Sequence, residues 1–197
     1  PVIMLSLKCG KQGDYNRAIR SICFEIQEQF KKYRFVSASE KVDVTDRKRF
    51  EAIADSIDPD ETTFAESIKL LSRCLMQYYG KKSIILIDEY DVPLEDAYFS
   101  GYYDKMVTFI RSLFESALKT NPALEFSVIT GCLRISKESI FTGLNNLETN
   151  SILSNTYSGS FGFVQSEVDE LIGYYGLEEK RAEIKRWYDG YLFGKTE

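Results

Sequence analysis

Histidine is absent from these 197 residues, which removes the Ser-His-Asp and Cys-His arrangements of nucleophilic catalysis and deprives any zinc site of its commonest nitrogen ligand. Four cysteines, Cys9, Cys23, Cys74 and Cys132, are scattered without a Cys-x-x-Cys spacing. Neither a metal knuckle nor a redox pair is therefore written into the chain, and the thiols read as free and reduced, Cys23 and Cys74 on helix faces. No apolar run approaches the ~20 residues that cross a bilayer and no stretch reads as a secretory leader, so a soluble, cytoplasmic protein is expected. Positive charge is also in deficit: 25 Lys and Arg against 30 Asp and Glu give a net charge of −5, which argues against a dedicated nucleic-acid surface. The local basic clusters, Lys31-Lys32-Tyr33-Arg34 and Arg47-Lys48-Arg49, read as solvated helix faces. Any chemistry here has to run on carboxylates, Lys, Arg, hydroxyls and a hard metal.

What the chain does have is alternation of strand and helix patterns, in a length suited to one domain or one domain and part of a second. Val2 to Leu7 predicts a first strand, followed by a turn with Gly10 and Gly13. A helix is expected from Asp14 to about Arg34, with Ile19, Ile22, Cys23, Ile26 and Phe30 on one face. A short helix follows over Arg47 to Ile57. A longer one starts at Glu61, carries the stripe Phe64, Ile68, Leu71 and Leu75, and stops at Gly80. Tyr102 to Lys119 repeats the helical spacing through Met106, Ile110, Leu113, Phe114 and Ala117. Glu125 to Gly131 predicts another central strand. Beyond an Asn-rich connection, Ser160 to Phe163 reads as a brief strand, and Ser166 with Asp169 as a capping box opening a helix through Ile172. A last helix is expected from about Glu178 to Tyr188. This alternation implies a mainly parallel sheet with right-handed crossovers.

The stretch that organises the rest is Ser83-Ile84-Ile85-Leu86-Ile87-Asp88-Glu89-Tyr90-Asp91. Aliphatic, largely β-branched residues stopped by acids predict a strand buried on both faces of a parallel sheet, with the acids at its carboxyl end. Open α/β sheets bind ligands there. A hydrophobic strand ending in Asp-Glu is also the Walker B arrangement of P-loop ATPases: Asp88 would stand on the magnesium side and Glu89 as general base. An ordinary buried strand running into an acidic loop fits the same residues. Asp91 either reinforces a metal site or, the favoured reading, caps a turn before Pro93.

The companion phosphate loop, G-x-x-x-x-G-K-[ST], is not in the chain. Gly190-Tyr-Leu-Phe-Gly194-Lys195-Thr196 has three residues between its glycines where four are needed and follows a helix. Cys9-Gly10-Lys11-Gln12 follows a strand but lacks the first glycine and the magnesium-binding hydroxyl.

Four segments together, Ile85 to Leu94, Ile129 to Lys137, Phe141 to Leu147 and Trp187 to Gly194, resemble the bacterial AAA-ATPase-like family, whose members often carry a restriction-endonuclease-like domain after the ATPase. The resemblance implies a three-layer, P-loop NTPase-like α/β fold of the additional-strand type, with helices on both faces of a parallel sheet. It also implies that the chain, beginning at Pro1, is a truncated core lacking the Walker A strand, which would leave a gap beside the sensor strand. The expected division is 1–164 for the partial core and 165–197 for a small helical part, the start of a lid or a following region.

By the same resemblance Asp88 is the metal ligand, Glu89 the base, Thr130 a polar sensor of the γ-phosphate and Arg134 the sensor arginine, unless Arg134 pairs with a surface acid. ATP and Mg2+ are the implied cofactors, in a longer parent. A fused nuclease-like domain and an unknown protein partner are the implied companions. The fragment alone is expected not to turn over ATP. Two other readings stay open: a non-hydrolysing interaction scaffold, and a metal-dependent nuclease using Asp88, Glu89 and Asp91. Asn145-Asn146 belongs to the resemblance without a derivable role, and Trp187 is expected as a packing anchor.

Overall fold

The computed structural model describes residues 1–132, 140–141, 144, 147–188 and 193–194. It is an α/β protein built on a parallel sheet of three strands, β1 (Val2–Ser6), β2 (Ser83–Asp88) and β3 (Leu124–Ile129), in the order β1-β2-β3. The register pairs Ser6 with Asp88 and Ile87 with Ile129, so all three strands end on one crest. By contacts the chain divides into two units, Pro1–Asn145 and Asn146–Glu197.

In the first unit α1 (Tyr15–Lys32) and α2 (Val44–Ala54) follow β1. Next come α3 (Glu61–Ala65) and α4 (Ser67–Tyr79), where a single helix was expected. The break falls where the Ser67 hydroxyl donates to the Phe64 carbonyl at 2.6 Å, a local bond that competes with helix continuation. Aspartates open three of these helices: Asp14, Asp43 and Asp60 each accept amides of the first turn they precede. Gly80, at φ 66°, ends α4 in the left-handed conformation that a glycine cap supplies.

Between β2 and β3 lie α5 (Val92–Ser100), which the spacing did not predict, and α6 (Tyr103–Phe114), continued by a π-helical turn, Glu115–Lys119. The nine residues of α5 are too few to display a period, and its buried Leu94 and Ala97 are followed by exposed Tyr98 and Phe99.

Side chains alternate between the two faces along β1 and β2, while β3 breaks the alternation at Glu125-Phe126, beside a register shift in its pairing with β2. Ile3, Leu5, Ile85 and Ile87 are buried, α1 packing on β1, α4 on β2 and the π-helical turn on β3. Each fully buried aliphatic side chain contributes roughly 1.5–3 kcal/mol. The opposite face is bare: Met4 is 52 % exposed, Phe126 59 % and Val128 39 %, with Val2 and Ile84 beside them. The expected helices on both faces are thus present on one face only among the described residues.

The sheet edges differ too. At β1 the outward-pointing Val2 carbonyl accepts the Tyr33 hydroxyl at 2.5 Å, whereas β3 pairs only with β2 among the described residues. The strand expected at Ser160 to Phe163 is not formed: Ser158–Ser160 is a 3-10 turn and Gly162 has φ 76°.

In the second unit α7 (Gln165–Tyr175) is capped at Val164, two residues before the expected Ser166. Glu167, not Asp169, closes the box, accepting the Val164 amide at 2.9 Å, while Asp169 pairs with Arg181. A 3-10 turn, Glu178–Lys180, leads into α8 (Arg181–Tyr188), and Trp187 is 71 % exposed rather than a packing anchor. No helix of the described residues is long and apolar enough to cross a membrane.

Candidate functional site

Asp88 closes β2 on the crest, half-exposed. One strand over, Thr130 is bonded both to β2 and to the turn that follows it. Its amide donates to the Ile87 carbonyl at 2.8 Å, and its own carbonyl accepts the Tyr90 amide at 3.1 Å. This extension of the ladder past the end of β3 aims the Thr130 side chain along the crest, where its hydroxyl donates to Asp88 Oδ1. Two of the residues singled out from the sequence are therefore in direct contact.

Glu89 stands at the turn, half-exposed, with φ 54°. That left-handed conformation costs an L-residue with a long side chain about 1–2 kcal/mol. Such outliers persist where surrounding bonds over-determine them, and they cluster at functional sites. Here the bond from Tyr90 to Thr130 on one side, and the Val92 amide donating to the Glu89 carbonyl at 3.3 Å on the other, hold it. Tyr90 is buried, its ring edge-on to Phe141 at 5.3 Å, and Phe141 in turn stacks on Phe114. The turn thus rests on a column of aromatic rings.

Asp91, expected to cap a turn, makes no side-chain cap bond. It is 3 % exposed, and its Oδ2 accepts the Cys132 amide at 2.9 Å. Gly131 passes over both neighbours: a Cβ there would lie 2.6 Å from Tyr90 Cε1 and 2.7 Å from Asp91 Oδ1. Sequence reasoning treated Gly131 only as part of a resemblance. The signal that could have found its role is a glycine directly after a strand whose neighbour ends in Tyr-Asp. Arg134, Asn145 and Asn146 lie outside the described residues.

The near-match after β1 is occupied by the protein itself. Gly10 is pressed against Pro93, a Cβ there falling 2.7 Å from Pro93 Cβ. The amides of Gln12 and Gly13 donate to Asp96 Oδ2 at 3.1 and 2.7 Å, joined by the Tyr102 hydroxyl at 2.8 Å. The desolvation that raises the Asp96 pKa is outweighed by these bonds and by Lys11, which hold it below its ordinary value. In the second near-match Gly194 seats against Ser154 and Asn155, and Gly190, Lys195 and Thr196 lie outside the described residues.

A family described as a predicted AAA-ATPase matches residues 1–141, the stretch that holds the whole crest. The chain belongs to that family. A curated relative, the uncharacterized protein in the vnfD 5′ region of Azotobacter chroococcum mcd 1, is 32 % identical over 115 residues. The match covers 57 % of this chain and 22 % of that relative, so the chain spans about a fifth of its length. No solved structure matches.

A family described as a predicted AAA-ATPase suggests nucleotide binding, and the donors on the crest suit a magnesium ion. A carboxylate and a hydroxyl are hard oxygen donors. Mg2+ keeps most of its waters and takes one or two carboxylates together with substrate phosphates. Among the described residues no group of three or more His, Cys, Asp or Glu side chains is placed to hold a metal.

Proposed function

We propose that this chain supplies the magnesium-side half of an ATP-hydrolysing site. The observation that carries the reading is the bond from Thr130 to Asp88 at the carboxyl ends of adjacent parallel strands, in a member of the AAA-ATPase-like family. Asp88 would hold Mg2+ through its remaining lone pairs, and the ion would neutralise charge on the nucleotide phosphates. Glu89, held at the turn beside it, takes the proton of the attacking water. Thr130 orients Asp88 and reads the γ-phosphate, and Arg134 offsets charge developing on the transferred phosphoryl.

A phosphate-cradling loop is required as well, and the 197 residues contain none. The open edge of β3 and the bare face carrying Met4, Phe126 and Val128 support a place for a strand–loop–helix unit supplied by other residues of a longer protein. On this reading 1–164 is a partial core and 165–197 the start of a lid or following region.

Phosphate release by the full-length parent and its Glu89→Gln variant tests the assignment. Release falling at least about a hundredfold in the variant is expected. Equal release from both would leave the non-hydrolysing scaffold as the function. The 197-residue chain itself should release no phosphate, and tight ATP binding by it in calorimetry would refute the missing-cradle part of the reading.

A further inference from the structure

Four aspartates stand immediately before helices in the first unit, and three behave alike. Asp14, Asp43 and Asp60 turn their carboxylates onto the first amides of their own helices. Asp91, in the same position before α5, does not. Its backbone carbonyl accepts the Leu94 and Glu95 amides at 3.1 and 2.8 Å, so α5 starts normally. Its side chain reaches across the crest to the Cys132 amide.

Burying a carboxylate is expensive unless it is well bonded, and an aspartate serving only as a helix cap would stay in water, as Asp43 and Asp60 do. The buried carboxylate is therefore held by its contacts across the crest, the Cys132 amide among them. Cys132 lies two residues beyond Thr130, and Gly131 between them has no Cβ because the chain there runs against Tyr90 and Asp91. Thr130 is tied to β2 by its amide and to the turn after β2 by its carbonyl, and Asp91 fixes the chain directly after it.

Resting on the proposed ATPase reading, we infer that Asp91 is a positioning residue: through the Cys132 amide it fixes where β3 leaves the sheet, and so sets the Thr130 hydroxyl on Asp88. The clamp runs through an oxygen acceptor, so Asn can substitute for Asp at 91 and Ala cannot.

The test uses the full-length protein, wild type and with Asp91→Asn or Asp91→Ala, with two readouts. The first is amide hydrogen exchange over 130–132. Although Cys132 is exposed, its wild-type amide should exchange at least about a hundredfold more slowly than an unstructured one, and an unprotected amide overturns the proposal without any variant. Asp91→Ala should abolish that protection and Asp91→Asn retain it; protection kept in Ala, or lost in Asn, overturns it.

The second readout is steady-state hydrolysis with Mg2+ varied. Asp91→Ala should lower kcat by about a hundredfold at saturating Mg2+ and leave the KM for ATP within about threefold, since misplacement of a reacting constellation costs rate more than binding. A rise in KM alone overturns the assigned role. If the wild-type protein hydrolyses no ATP, the ATPase reading fails, while the exchange experiment still decides whether Asp91 clamps the crest.

Discussion

Two substitutions on opposite faces of one sheet separate its covered from its bare side. Ile85 is fully buried beneath α4, and truncation to Ala removes three carbons and leaves a cavity between strand and helix. Costs of this kind run from 2 to 5 kcal/mol, and with no exposed atoms to relax about 3–4 kcal/mol is expected. Phe126 on β3 points the other way and is 59 % exposed. Threonine, β-branched, favours strands as the aromatic phenylalanine does, so Phe126→Thr should stay within about 0.5 kcal/mol.

Urea unfolding followed by far-UV circular dichroism measures both. With a slope of about 2 kcal/mol per M, Ile85→Ala lowers the midpoint by roughly 1.5–2 M and Phe126→Thr by no more than about 0.3 M. Tryptophan fluorescence would not serve, because the single Trp187 is exposed and belongs to the second unit. Equal losses from the two variants would refute the one-sided sheet. In a longer parent whose own segment lies on that face, Phe126→Thr should instead cost about 2–4 kcal/mol.

Other outcomes follow from single contacts. Gly131→Ala forces a methyl to within 2.6–2.8 Å of Tyr90 and Asp91, so it should destabilise by about 1–3 kcal/mol by the same titration, and a neutral result would contradict the close passage. Asp46, buried, takes two bonds from Arg73 at 2.5 and 2.7 Å and one from Gln77. Arg73→Ala leaves that carboxylate short of partners; with Arg73 about one-third exposed, a loss of about 2 kcal/mol is expected, smaller than for a fully buried pair. Glu89→Asn relieves part of the left-handed strain, since Asn tolerates that region. It should raise stability by about 0.5–1 kcal/mol while abolishing the proposed base, and a loss of stability would argue that φ 54° is not strained there.

Asp96 supplies the pH dependence. Its folded pKa lies below the ordinary 3.8, so its contribution is present at neutral pH and is lost as pH falls through the lowered value. The gap in urea midpoint between wild type and Asp96→Asn should therefore be open at pH 7 and close as pH falls from the ordinary 3.8 through the lowered value. A gap that widens in acid would reverse the sign.

The crest was legible in advance because its signals are local. A β-branched run stopped by acids reads as a strand with carboxylates at its end, and strands alternating with helices imply a parallel sheet. That much was enough to single out Asp88 and Glu89, whereas Thr130 was named through the family resemblance. Asp91 was misread for the same reason: an Asp before Val-Pro predicts a local cap, and only the pairing of β2 with β3 brings the Cys132 amide, 41 residues away, within its reach. The role of Gly131 likewise depends on which side chains the neighbouring turn places beneath it.

Periodicity could reveal which residues of β1, β2 and β3 share a face, but these strands are apolar on both faces. Which face the helices cover was therefore decided by packing, and the exposed side carrying Phe126 and Val128 became visible only in three dimensions. Composition and the succession of strands and helices along the sequence are properties of the chain alone. A buried carboxylate's partner and an uncovered face are set by contacts between residues far apart in sequence, which no local pattern encodes.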